Sequence, residues 1–65
     1  MITNRFQLME LMENGSRVVL PGMVFKFYDG ATKSAGRLAR VHPKKGYIIL
    51  DKQTKEEYII KQIEL

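Results

Sequence analysis

Residues 36–50, GRLARVHPKKGYIIL, constrain the fold more than any other stretch of this chain. They read as strand, tight turn, strand. Pro43-Lys44-Lys45-Gly46 supplies the turn, because proline pre-sets φ at the second corner and glycine tolerates positive φ at the fourth. Before the turn, Leu38, Ala39 and Val41 alternate loosely with Arg37, Arg40 and His42. After it, Tyr47-Ile48-Ile49-Leu50 is a short run of strand-favouring residues. The expected hairpin has a cationic first strand and tip and an apolar second strand.

At 65 residues the chain is one small domain near the lower limit for a self-sufficient core. A chain of this size buries roughly 60% of the surface it exposes when unfolded. It has no cysteine, which removes disulfides and thiolate metal sites and fits a cytoplasmic location. Oligomerisation is then the common remaining source of added stability. No apolar run approaches the roughly 18 residues of a membrane span, and no basic segment followed by an apolar core marks a signal peptide.

Charge is unevenly placed. The formal charge is +4 and the pI about 9.6. Between residues 33 and 55, seven basic residues (Lys33, Arg37, Arg40, Lys44, Lys45, Lys52, Lys55) face the single acid Asp51. One-sided positive charge favours polyanionic partners.

Taken in order, residues 4–14 predict a short amphipathic helix. Thr3 or Asn4 caps it, Leu8, Met9, Leu11 and Met12 share an arc, and Asn14-Gly15 ends it. Nine or ten residues do not hold a helix alone in water, so it must dock, either on its own domain or on a partner. Strands follow at about residues 16–20 and 23–28, separated by Pro21-Gly22 as a type II turn. In the second, Met23, Phe25 and Phe27 form the expected core face. Residues 29–36 are small and polar and read as an exposed loop. Strands at about 37–42, 47–51 and 56–61 complete the chain. Five short strands with short connections predict a mainly β fold, a small five-stranded antiparallel barrel with a short N-terminal α-helix. An open sheet covered by that helix is the alternative.

Gly36, Arg37, Leu38, Val41, the Lys44-Lys45-Gly46 turn and Ile48 to Leu50 resemble the KOW motif of ribosomal and transcription-elongation proteins. The order of helix and strands, with Asp29-Gly30 and the closing Tyr58-Ile59-Ile60-Lys61-Gln62-Ile63, also resembles Sm-like (Hfq-type) RNA-binding proteins. The Tyr-Lys-His run of that family is absent, so its uridine-binding residues do not carry over. Both resemblances imply an SH3-like barrel and a nucleic-acid ligand. Fold alone does not give function.

The candidate nucleic-acid-binding residues are Lys33, Arg37, Arg40, Lys44, Lys45, Tyr47, Lys52 and Lys55, centred on the hairpin. Cations spaced along a surface contact phosphates, and Tyr28, Tyr47 and Tyr58 offer rings for unpaired bases. The plainer account is a solvated surface, since lysine commonly guards strand edges. On a regular strand Arg37 and Arg40 point to opposite faces, unless a bulge turns both outward. His42 is the only histidine and sits beside Pro43, where it reads as a turn residue. Neither a metal set nor a nucleophile with its base is spelled out, so the chain is expected to be no enzyme and to carry no cofactor. The expected partner is RNA or DNA. The alternative is a protein-interaction module or small regulatory protein, of the kind phages and other mobile elements carry. Self-association is compatible with either. Membrane binding is not expected, because the polar side of the predicted helix is acidic.

Overall fold

The computed structural model describes residues 3–63. Four strands and one helix follow in the order β1 (Phe6–Leu11), β2 (Arg17–Phe25), α1 (Tyr28–Val41), β3 (Gly46–Asp51) and β4 (Glu57–Lys61). The strands make one antiparallel sheet in the order β2-β1-β3-β4. Helix α1 covers one face. The fold is thus mainly β, as expected, but the sheet is open. Neither a fifth strand nor barrel closure is present among the described residues.

Three elements correct the sequence reading. The predicted N-terminal helix is β1. Its Phe6, Gln7, Leu8 and Met9 are all buried, because β1 is a central strand between β2 and β3, under α1 on one face and inside the curved sheet on the other. A strand buried on both sides shows no apolar alternation, and its good helix formers then mimic a helical arc. Tertiary context overrides that weak propensity. Asn14-Gly15 still turns the chain, with Gly15 at φ 87, but it closes the β1–β2 hairpin. The Gly15 amide donates to the Met12 carbonyl at 2.9 Å, and the Asn14 side chain accepts from the Ser16 amide at 2.9 Å.

The two predicted strands at 16–20 and 23–28 are the single strand β2. Pro21-Gly22 makes an irregularity inside it rather than a turn, and the register on β1 shifts between Gln7 and Met9. Gly22 sits at φ 78. The Gln7 carboxamide donates to the Leu8, Leu20 and Met23 carbonyls at 2.8, 3.1 and 3.2 Å, so this side chain occupies the gap in the ladder. Met23 and Phe25 pack on the core as expected, whereas Phe27 leaves the strand and is exposed.

The predicted loop at 29–36 and strand at 37–42 are the helix α1. Ala31, Ala35, Leu38 and Ala39 recur at helical spacing and face the sheet. Ala31 and Ala35 are fully buried. Small side chains here let the helix axis lie close to the strands, which is why the stretch looks too small to be core. The His42 amide ends the helix by donating to the Leu38 carbonyl at 2.8 Å. Pro43 does start the turn into β3, and the Lys45 amide donates back to the His42 carbonyl at 3.2 Å. Gly46, however, is the first residue of β3, and it is needed for close approach. A Cβ there would stand 3.0 Å from both the Leu11 Cβ and the Lys61 carbonyl oxygen.

The core under α1 gathers Phe6, Leu8, Tyr47 and Ile49, flanked by Leu20, Met23, Phe25, Leu38 and Ile60. The opposite face of the sheet carries Gln7, Met9, Leu11, Val19, Val24, Ile48, Leu50 and Ile59 by alternation from the observed register. It also carries Arg17, opposite Leu11, and Glu57, opposite Leu50. These two join through hydrogen bonds of 3.1 and 3.2 Å. They lie on the two outer strands, three spacings of about 4.8 Å apart and offset along the sheet. A flat sheet would hold them beyond side-chain reach. Right-handed twist folds these diagonal corners toward each other.

Candidate nucleic-acid interface

The expected cations do not form one hairpin surface. The structure divides them among three places and removes one residue altogether. Lys33, Arg37 and Arg40 lie on α1, at relative positions i, i+4 and i+7. At 100° per residue they share its outer face, opposite Ala31 and Ala35. All three are exposed. The strand-based expectation that the two arginines point apart is corrected, because a helix places residues three apart on neighbouring rows.

Lys44 and Lys45 follow in the turn between α1 and β3. Lys45 is engaged: its ammonium lies 3.0 Å from the Glu10 carboxylate, and that hydrogen bond raises its pKa. Lys44 lines an open groove with Leu11, Met12 and Ile63 and with the acids Glu10 and Glu13. Lys52 and Lys55 belong to the turn between β3 and β4, at the other end of β3. Five residue rises of about 3.3 Å put roughly 16 Å between the two turns. Tyr47, offered as a stacking ring, is 2% exposed and belongs to the core. Burial pushes its phenol pKa up, with Glu10 adding and Lys45 opposing.

The other two tyrosines pack edge-on against neighbouring rings, Tyr58 half-buried and Tyr28 40% exposed. Tyr28 sits edge-on to Phe6 at 5.7 Å and to Tyr58 at 5.3 Å. Burial likewise raises the Tyr58 pKa, followed by the charges of Glu56 and Asp51. Beside this ladder of rings, Asp51 is almost wholly buried. Arg5 holds it with two hydrogen bonds of 2.8 and 2.7 Å. The Gln53 and Thr54 amides donate to the same carboxylate at 3.0 and 3.4 Å. The Arg5 bond, aided by these amides and opposed by burial, keeps the Asp51 carboxyl well below the usual carboxylate range. Asp51 therefore anchors the 52–55 turn, the role its place beside a turn suggests. The turn closes with the Lys55 amide on the Asp51 carbonyl at 2.7 Å.

Among the described residues, ion pairs engage four acids: Glu10 with Lys45, Asp29 with Lys33, Asp51 with Arg5 and Glu57 with Arg17. Among the described residues, Lys26, Arg37, Arg40, Lys44, Lys52, Lys55 and Lys61 have no ion-pair partner. Lys26 is a cation that sequence reasoning misses. It precedes α1, is exposed, and its ammonium stands 5.6 Å from the Phe27 ring centre. Its only sequence signal is that it lies just before a helix whose outer face is basic. The signal for that face, Lys33-x-x-x-Arg37-x-x-Arg40, is visible in the sequence but becomes a single row only at the helical period.

Among the described residues no group of three His, Cys, Asp or Glu is placed to hold a metal ion. No described helix is long and apolar enough to cross a membrane. The chain matches no protein-family model, no curated protein sequence and no solved structure. The fold class defined here is an open four-stranded antiparallel sheet with one crossover helix on one face.

Proposed function

We propose that this chain is a non-enzymatic nucleic-acid-binding domain whose contact surface is the outer face of α1. The observation that supports it most is the row Lys33, Arg37 and Arg40, exposed on one helical face and spanning about 10.5 Å along the axis. Arg37 and Arg40 carry no ion pair among the described residues, so a phosphate on either disrupts no existing pair, whereas at Lys33 it competes with Asp29. Lys26 and Lys44 extend the positive charge beyond either end of the helix. The sequence resemblances to KOW and Sm-like domains point to the same class of ligand, though through a hairpin and a closed barrel rather than a helix. Lys52 and Lys55, at the β3–β4 turn, are assigned to the solvated surface.

Fluorescence anisotropy with labelled nucleic acid at about 50 and 200 mM salt tests this reading. Electrostatic binding gives affinity that falls steeply with salt. Arg37→Ala with Arg40→Ala should weaken binding and reduce the salt slope by about one for each phosphate no longer neutralised. Unchanged binding in that double variant rejects α1 as the surface.

A second reading, self-association, is favoured by Val19 and Ile59. Both are more than half exposed on the uncovered face of the sheet. A second copy suits this face because its strand residues carry only Arg17 and Glu57, which neutralise each other. Back-to-back pairing also keeps two cationic helices apart. Sedimentation velocity across a concentration series decides it. A dimer lost in Ile59→Lys supports the reading, and a monomer at the highest concentration rejects it.

A further inference from the structure

We infer that the ligand of α1 is double-stranded DNA, taken against the helix in a groove, rather than a single strand or an RNA duplex. This rests on the nucleic-acid reading above and deepens it. Three observations carry it.

The first is the distribution of rings. Proteins that hold single strands lay successive bases on exposed aromatic faces. Here Tyr47 is core, and Phe6, Tyr28 and Tyr58 are stacked edge to face on one another. The uncovered sheet face, where an RNA-binding sheet displays its rings, has only aliphatic and polar strand residues. Phe27, beside Lys26, is the most exposed ring among the described residues, 67% accessible; Tyr28 after it is 40% accessible, but its ring is held edge-on by Phe6 and Tyr58. Phe27 offers one base a surface and offers a strand of bases no platform.

The second is the relief of the cationic face. Gly36 lies beside Arg40 and Lys33 on the outer side of α1, a face it shares with the exposed Asp29 that pairs with Lys33. A Cβ added at Gly36 meets nothing within 4 Å. The helix backbone is therefore unshielded beside its basic side chains, and a ligand can approach the axis closely. A helix with side chains is about 10–12 Å across, and α1 at 14 residues is about 21 Å long. The major groove of B-form DNA is about 12 Å wide and admits such a helix. The corresponding groove of A-form RNA is deep and narrow.

The third is the spacing of charge. Lys33 and Arg40 lie on the two sides of Gly36 along the helix, and Arg37 is on the next row. Around the axis all three cations lie on one flank of Gly36, so their long side chains reach phosphates along one wall of a groove while Gly36 faces its floor.

The experiment is an anisotropy titration with three probes of one sequence: a 20-base-pair DNA duplex, its single DNA strand, and the matching RNA duplex. Wild type is compared with Gly36→Gln, which fills the space at Gly36 without touching charge, and with Arg37→Ala/Arg40→Ala. Circular dichroism verifies that each variant is folded. The DNA duplex is expected to bind about tenfold tighter than either other probe at one salt concentration. Gly36→Gln should weaken the duplex complex by about the same factor and leave single-strand binding unchanged. Equal or tighter binding of the single strand or the RNA duplex overturns the inference and leaves the nucleic-acid reading standing. Duplex affinity indifferent to Gly36→Gln overturns the groove seating. Absence of binding to all three probes at about 50 mM salt overturns both readings.

Discussion

Ile48 and Ile49 are neighbours on β3 and point to opposite faces of the sheet, yet both have no accessible surface. Ile49 is covered in the expected way, by α1 and the core residues around it. Ile48 has no helix above it. It pairs with Met9 and Ile59, and the Arg17–Glu57 bridge ties the two outer strands across the same face. The difference teaches that one face is buried by a second layer and the other by curvature. Twist draws the corners in, close enough for Arg17 and Glu57 to pair across the two outer strands. It also explains the charge pattern. Acid and base on the curved face neutralise each other, whereas on α1 only Lys33 is paired, with Asp29, and Arg37 and Arg40 are not.

The sharpest way to break the comparison is to hollow out each face in turn. Ile49→Ala and Ile48→Ala are each expected to cost about 2–5 kcal/mol, read from urea unfolding. The loss at Ile49 should be the larger, because α1 and β3 are held apart by the residues around it whereas a curved edge can collapse inward. Equal losses would mean the two faces are equally rigid.

Gly46 tests how tightly the strands approach. Gly46→Ala should cost about 1–3 kcal/mol by overpacking against Leu11 and the Lys61 carbonyl. Gly36→Ala has the opposite sign: an open, exposed helical glycine replaced by alanine should gain up to about 1 kcal/mol. Urea unfolding of both variants checks the signs. The pair contrasts a glycine required by close approach with one that the fold does not need.

The two ion pairs should separate in solution. Arg17→Ala removes an exposed pair worth about 0.2–1 kcal/mol, and the effect should shrink with added salt. Asp51 is embedded in hydrogen bonds, and its contribution depends on pH in a defined direction. Its folded-state pKa is depressed, so the stabilisation is complete above the ordinary carboxylate pKa of about 3.9. It is lost as pH falls below that value toward the depressed one. Wild type should lose urea resistance over that acid range, and Asp51→Asn should flatten this part of the profile while lowering resistance at neutral pH. A variant with the same acid slope as wild type would place the titration elsewhere.

Several features are legible before folding is considered. The turns at Asn14-Gly15, Pro43 and residues 52–55, the strands β3 and β4, and the abundance of cations from Lys33 onward all rest on local chemistry. Proline, glycine and aspartate act within three or four residues, and net charge needs no geometry. What β1 and α1 become is decided elsewhere. FQLMEL is apolar on both sides because it is a central strand, and nothing within the segment states that it will have two neighbours. ATKSAGRLA looks too small for a core because its alanines are sized to a sheet that lies elsewhere in the chain. Once α1 forms, Lys33, Arg37 and Arg40 share a face, Tyr47 disappears into the core, and Lys52 and Lys55 lie at the end of β3 away from Lys44 and Lys45, where α1 begins. Residue types and turns follow from the sequence by itself, because their causes are local. The pairing of β1 with β3, the seating of α1 and the position of every cation follow only from the tertiary structure, because burial is a property of what surrounds a residue.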